Sequence, residues 1–119
     1  MKVLVVDDEP QIRRALRTSL EAHGYEVATV GTGEEGVVAS ADQQPDLVLL
    51  DLGLPDMDGT EAARILGDGA RTAAIPVVAL SAVALDGDIA WLTRAGFAGY
   101  IEKPIDVESF PYQVRRFCT

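Results

Sequence analysis

The sequence predicts a doubly wound α/β domain, a (βα)5 chain in which five parallel strands alternate with five helices. Three features predict it. Short apolar runs recur at residues 3–6, 25–30, 47–50, 76–80 and 98–101. They are β-branched or leucine-rich with little polar alternation, as strands buried on both faces are. Helical patterns stand between them, and regular alternation of strand and helix implies a parallel sheet covered on both faces, with right-handed crossovers. No linker, repeat or low-complexity tract interrupts the 119 residues, so residues 1–119 read as one domain.

Each helix has its own signals. After Pro10, residues Ile12, Ala15, Leu16, Ser19 and Leu20 fall at the i, i+3, i+4, i+7, i+8 spacing of a core-facing stripe. Pro10 suits a first helical turn and Gly24 a helix exit. The second helix opens at Thr32, with Glu35 three residues on in a capping-box pattern, and ends before Pro45. The third opens at Asp58, with Glu61 three residues on, and carries Ala62, Ile65 and Leu66. The fourth carries Leu85, Ile89 and Leu92 and stops at Gly96. The last carries Phe110, Val114 and Phe117. Pro111 would clash deep inside a helix, so this one is expected to start near Ser109 and hold the proline in its first turn.

Composition narrows the function classes. Hydrophobic residues make up 48% and charged residues 24%, a globular rather than a disordered composition. A net charge of −9 repels a phosphate backbone, which argues against direct nucleic-acid binding and favours a cation or a basic partner patch. One cysteine, Cys118, allows no internal disulfide. The apolar run before Asp7 is too short for a signal-peptide core, and no stretch approaches the ~18 apolar residues of a membrane span. A cytoplasmic chain without a membrane partner is the expectation.

Ligands of such sheets bind beyond the carboxyl ends of the strands, where the strand order reverses. Strand one ends in Asp7-Asp8-Glu9, strand three in Asp51, strand four in Ser81 and strand five in Lys103-Pro104. Parallel strands bring these ends to one edge. Carboxylates so close cannot all stay ionised without a cation. Hard oxygen donors in an incomplete cage favour Mg²⁺, with Mn²⁺ as a substitute. Lys103 supplies a second positive point and Ser81 a hydroxyl, the parts that in-line phosphoryl transfer needs. With no Ser, Cys or His nucleophile at the centre, a carboxylate is the acceptor, and the product is an acyl phosphate. Taken singly, each residue has an ordinary reading: Asp7-Asp8 as a helix cap, Asp51 as a turn cap, Ser81 as a helix start, Lys103 as a surface charge. Four strand ends agreeing in order is what outweighs those readings.

The motifs that carry these residues resemble the receiver domain of bacterial two-component response regulators. They are Val3-Leu4-Val5-Val6-Asp7-Asp8-Glu9-Pro10, Pro45-Asp46-Leu47-Val48-Leu49-Leu50-Asp51, Leu54-Pro55-Asp56-Met57-Asp58-Gly59, Ile75-Pro76-Val77-Val78-Ala79-Leu80-Ser81-Ala82 and Gly99-Tyr100-Ile101-Glu102-Lys103-Pro104. The likeness covers essentially the whole chain and is nearest in wording to single-domain regulators and hybrid-kinase receivers. It implies a flavodoxin-like strand order, 2-1-3-4-5. It implies that Asp51 takes a phosphoryl group from a phosphohistidine of a histidine kinase or phosphotransfer protein. Asp8, Asp51 and the Gly53 backbone carbonyl would then bind Mg²⁺ directly, and Asp7 mostly through water. Lys103 would pair with Asp51 and then with the phosphoryl group, and the bond before Pro104 would be cis. Ser81 and Tyr100 match the family's switch pair, which would reshape the face of helix four, strand five and helix five for a downstream protein target.

Several expectations follow from the resemblance. Trp91 and Tyr112 are placed on the partner surface, where Trp91 would serve docking but not phosphorylation. Gly53 and Val83 offer no acid, base or hydrogen bond along the path of a hydrolytic water, so spontaneous dephosphorylation is expected not to be accelerated by them. His23 is read as a solvated helix-end residue. The chain is expected to be a covalent switch rather than a turnover enzyme. The competing readings are a degenerate receiver that docks without phosphate, an aspartyl-nucleophile phosphatase, and a flavodoxin-like cofactor binder. The phosphatase would place its nucleophile on strand one, and the cofactor binder would need a Ser/Thr/Gly-rich loop where Asp7-Asp8-Glu9 stands. No DNA-binding or enzymatic output pattern follows the last helix, as expected of a stand-alone receiver or one cut from a longer regulator.

Overall fold

A computed structural model describes residues 1–81 and 90–117, apart from the side chains of Ala90 and Trp91. The expectations for Val83, Leu85, Ile89, Trp91 and Cys118 therefore lie outside the described residues. The elements run β1 (Lys2–Val6), α1 (Pro10–Glu21), β2 (Glu26–Val30), α2 (Gly33–Gln43), β3 (Leu47–Asp51), α3 (Gly59–Asp68), β4 (Val77–Ser81), α4 (Ala90–Arg94), β5 (Gly99–Glu102) and α5 (Phe110–Arg115). All neighbouring strands pair in parallel, in the order β2-β1-β3-β4-β5. Tyr25, Pro76 and Ala98 fall just outside their strands, while Lys2, Asp51, Ser81 and Glu102 fall inside.

Strand alternation sorts the core into two layers. Leu4, Val6, Val48, Leu50, Val77 and Ala79 pack with Ala39 of α2, Ala62, Ala63 and Leu66 of α3, and Leu92 of α4. Val3, Val5, Leu47, Leu49, Val78, Leu80 and Ile101 pack with Leu16 and Leu20 of α1 and Phe110 and Val114 of α5. The chain therefore crosses from one face of the sheet to the other between β1 and β3. Two expected core positions face outward instead: Ala15 is exposed, and Ile65 is 38% exposed. In α3 the small residues Ala62 and Ala63 with Leu66 already fill the contact, which rotates Ile65 off the seam.

The helix ends follow local chemistry. Gly24 and Gly96 take positive φ, and Tyr25 and Phe97 N–H donate back to the carbonyls of Leu20 and Leu92, closing α1 and α4 as glycine caps do. Thr32 Oγ1 accepts from Glu35 N–H at 3.1 Å and donates to the Glu35 carboxylate at 3.0 Å. Asp58 Oδ1 accepts from Thr60 N–H at 3.0 Å. Ser109 precedes α5, and Pro111 lies in its first turn.

The tightest approach lies at the start of α3. A Cβ on Gly59 would stand 2.7 Å from both the Asp51 carbonyl oxygen and the Leu52 Cα. Both are backbone atoms, so no rotamer change relieves the clash. Gly59→Ala is expected to lower stability by about 1–3 kcal/mol in urea denaturation. Gly67→Ala on the same helix, where a Cβ meets nothing within 4 Å, is expected to raise it by up to about 1 kcal/mol.

Candidate functional site

Strand periodicity aims the acids before any contact is considered. Val3 and Val5 face the α1/α5 layer, and continuing that alternation one step past β1 turns Asp7 the same way. Leu47 and Leu49 do the same for Asp51, and Ile101 for Lys103. β1 and β3 are adjacent strands, so their ends meet where the chain switches faces, the place where open sheets of this kind leave a crevice. Asp8 falls on the other parity and is exposed.

The geometry is close. One carboxylate oxygen from each of Asp7, Asp8 and Asp51 lies within 4.8 Å of the other two. Asp7 is fully buried and Asp51 is 8% exposed. Lys103 Nζ donates to Asp7 Oδ2 at 2.8 Å and lies 3.4 Å from Asp51 Oδ1. Lys103 thus contacts Asp51, the partner that the resemblance implies, and more closely Asp7. A deeply buried carboxylate needs the full ion pair more than one at the crevice mouth does. Asp7 Oδ1 also accepts Glu9 N–H at 2.9 Å, and Asp51 Oδ1 accepts Gly53 N–H at 3.1 Å.

Ionisation follows from this arrangement. Burial pushes the Asp51 carboxyl above its ordinary value; Gly53 N–H and Lys103 pull it down and the charge of Asp7 pushes it up, leaving it raised. Burial alone would lower Lys103, but the hydrogen bond and charge of Asp7, with Asp51 behind them, hold the ammonium above its usual value. Among the described residues, two of the three clustered carboxylates thus share one ammonium. The donor set is all oxygen and its charge is unbalanced, which suits a hard divalent cation.

The remaining expected residues are placed as follows. Ser81 ends β4 and is 4% exposed, and Lys103 N–H donates to its backbone carbonyl at 2.7 Å. Tyr100 is half-buried against the α2/α3/α4 layer. It pairs in register with Ala79, two residues before Ser81, so the side chains of Tyr100 and Ser81 share a sheet face. Gly53 is exposed and bridges Asp58 across the β3–α3 loop. The Lys103–Pro104 bond is cis. Tyr112 stands exposed on α5 with its ring edge-on to His23 beyond α1, centroids 5.7 Å apart. His23 is exposed, as expected of a helix-end residue, and its Nδ1 lies 3.1 Å from the Ser19 carbonyl.

Three supporting residues escaped the sequence reading. Arg13 Nη1 donates to the Asp7 carbonyl at 2.7 Å and lies over Gly31, where a Cβ would stand 3.1 Å from it. Asp56 accepts Gly33 N–H at 2.8 Å and Glu34 N–H at 2.9 Å, one on each carboxylate oxygen. These bonds, that to Glu34 first, hold its carboxyl below the ordinary range. Gly59 permits the close return of the loop onto Asp51. A glycine after Asp58 was the one visible signal. Arg13 has no pattern that separates it from other surface charges, and Asp56 stands in the motif of residues 54–59 without a spacing that points to α2.

Residues 3–115 match the response regulator receiver domain family. The chain is a response regulator receiver domain. It is 36% identical to protein PilH of Pseudomonas aeruginosa over 108 residues, covering 91% of this chain and 89% of PilH. It is 43% identical over 113 residues to the transcriptional regulatory protein KdpE of Mycobacterium tuberculosis, covering 95% of this chain but 49% of KdpE. It therefore spans about half the length of that relative. Among solved structures, the chemotaxis response regulator CheY4 of Vibrio cholerae superposes with a TM-score of 0.91 at 26% identity, covering 98% of this chain and 97% of CheY4. The receiver domain of the sensor histidine kinase PA1611 of Pseudomonas aeruginosa, 30% identical with a TM-score of 0.87 and covering 98% and 96% of the two chains, has a magnesium ion coordinated in its active-site cleft. Receiver domains serve phosphorylation-based signalling between histidine kinases and downstream targets.

A raised Asp51 carboxyl has a consequence for this receiver. In the folded state the proton is held more tightly than in the unfolded chain, so stability falls as pH rises through the window above the unfolded value of about 3.9. At neutral pH the ionised group opposes folding. In metal-free buffer at pH 7, Asp51→Asn is expected to raise the thermal midpoint, and the difference from wild type should vanish on acidification below about pH 4, as followed by calorimetry across pH.

Proposed function

We propose that Asp51 is the phosphoacceptor of this receiver. The observation that carries it is the cluster itself: a nearly buried carboxylate at the face-switch point, beside two further acids and 3.4 Å from the Lys103 ammonium. A carboxylate oxygen of Asp51 attacks phosphorus in line. The P–N bond of the donor phosphohistidine breaks, its electron pair returns to the imidazole nitrogen, and an acyl phosphate forms. Asp8, Asp51 and the Gly53 backbone carbonyl would hold a Mg²⁺ directly and Asp7 mostly through water, and the bound ion would supply positive charge to the transferring oxygens. Lys103 moves its ammonium from the carboxylates toward a phosphoryl oxygen, and the Ser81 hydroxyl donates to another. Pro104 shapes the turn that presents Lys103. The chain turns over no separate substrate; it acts as a covalent switch in the cytoplasm, without nucleic acid or membrane as a direct partner.

The donor protein meets the face that adjoins the acceptor. A groove of about 220 Å³ lies between Ile12, Ala15 and Leu16 of α1 and Pro104, Ile105 and Val107, and Lys103 forms part of its wall. Ala15 and Val107 are exposed and apolar there, so a helix carrying the phosphohistidine finds apolar footing beside the ammonium. The downstream target reads the face of α4, β5 and α5, on which Tyr100 turns inward when Ser81 engages the phosphoryl group.

Two tests follow. With acetyl phosphate and Mg²⁺, intact mass should show one added phosphoryl group on the wild type and none on Asp51→Asn or Asp51→Ala. Lys103→Ala should slow labelling by about 100-fold or more. Equal labelling of the Asp51 variants would show the acceptor to be another residue. Ala15→Glu should slow transfer from a phosphohistidine protein by at least about tenfold while labelling by acetyl phosphate stays unchanged. Stopped-flow transfer assays with both donors separate the two effects.

A further inference from the structure

The loop that carries Gly53 is anchored at both ends. At its base Gly59 N–H donates to the Leu52 carbonyl at 3.1 Å, Gly53 bridges Asp58, and the missing Cβ of Gly59 lets the chain close over Asp51. Its tip is held by a different element. Asp56 uses one oxygen on Gly33 N–H and the other on Glu34 N–H. Both are first-turn amides of α2, which that helix cannot satisfy from within. Thr32 takes the next amide, Glu35 N–H, from its own loop. Met57 lies against Gly33, where a Cβ would fall 2.5 Å from the Met57 Cγ. The β2–α2 and β3–α3 loops are thus joined by two hydrogen bonds and one close apolar contact, all at the edge of the sheet that bears the acids.

We propose that Asp56 is a positioning residue for the metal site: by spanning both α2 amides it holds the β3–α3 loop, and with it the Gly53 carbonyl, where a divalent cation requires it. This rests on the reading of Asp51, Asp8 and Gly53 as the ligand set. Bidentate acceptance is what makes the acid necessary. An asparagine offers one acceptor, and its NH₂ would face the second N–H donor. The partial positive charge of the α2 terminus further favours a carboxylate there. Without the clamp the loop keeps its base contacts at Gly59 and at the Gly53–Asp58 bridge, but the segment between them is no longer held to α2, so the Gly53 peptide is less firmly oriented, and a backbone ligand cannot be recovered by a side-chain rotation. Groups that orient metal ligands in this way commonly affect affinity as strongly as some ligands do.

The test compares three variants of the whole chain by calorimetric Mg²⁺ titration, with the Gly53 amide followed by NMR. Asp56→Ala and the milder Asp56→Asn should each weaken Mg²⁺ binding by about tenfold and shift the metal-free Gly53 amide resonance. Thr32→Ala removes a cap from the same helix without touching the loop, and should leave Mg²⁺ affinity within about twofold of wild type. Asp56 variants that bind as tightly as wild type overturn the proposal. So does an equal loss in Thr32→Ala, because that would make the effect one of α2 stability alone. A wild-type chain that binds no Mg²⁺ overturns the ligand-set reading, and this proposal falls with it.

Discussion

Like-charge repulsion at the carboxyl edge of the sheet is the constraint on which the rest of the site depends. A parallel sheet delivers every strand end to the same edge, and here β1 and β3 deliver three carboxylates to adjoining positions. The chain manages them unequally. Asp7 is fully buried and receives the short ion pair with Lys103 and the Glu9 amide. Asp8 turns to solvent. Asp51 keeps a longer contact with Lys103 and a single backbone amide, and burial raises its carboxyl. The best-paired acid is thus the fully buried Asp7, and Asp51 is left with the longer contact to the ammonium, so charge can still be added or neutralised there.

That inequality needs a rigid frame, because a few tenths of an ångström would change which acid the ammonium prefers. The frame is apolar and close-packed. The three central strands hold buried residues through almost their whole length, and glycines permit approaches that a methyl would block. Gly36 seats α2 on Val6 one residue before Asp7, and Gly59 seats α3 on the backbone of Asp51 and Leu52. Both close contacts lie next to an acid of the cluster, so packing of the helices is transmitted directly to the position of the carboxylates.

The parts of this molecule legible in its sequence are those governed by short-range rules. Strand runs, the glycine exits at Gly24 and Gly96, the caps at Thr32 and Asp58, and the proline turn at Ser109–Pro111 all follow from residue type and spacing, and the structure has them. Parallel strands also make the meeting of Asp7, Asp51 and Lys103 deducible. What escaped depends on distances between loops. Asp56 caps a helix 22 residues earlier in the chain, and no spacing in its own motif points to that helix. Arg13 reads as one of several α1 cations until its bond to the Asp7 carbonyl is seen. Ile65 looked like core because helical spacing cannot tell how wide a seam is; Ala62 and Ala63 make this one narrow. The ring contact of Tyr112 with His23 depends on how α5 lies beside the end of α1, which spacing along α5 alone does not determine.

The pairing of Lys103 suggests how a change at Asp51 would travel. Its ammonium touches Asp7 and Asp51, while its backbone amide is bonded to the Ser81 carbonyl at 2.7 Å. One residue thus joins the acids, through its ammonium, to the end of β4, through its backbone hydrogen bond. On the proposed reading, a phosphoryl group on Asp51 carries more negative charge than the carboxylate it replaces and projects further, so it competes with Asp7 for the ammonium. Any shift of Lys103 toward it pulls on the β4 terminus where Ser81 sits, and Ser81 shares a sheet face with Tyr100 on β5. Such a route needs no long chain of contacts. It requires only that the phosphoryl group bind the shifted arrangement better than the resting one, and the longer, weaker Lys103–Asp51 contact leaves room for that preference.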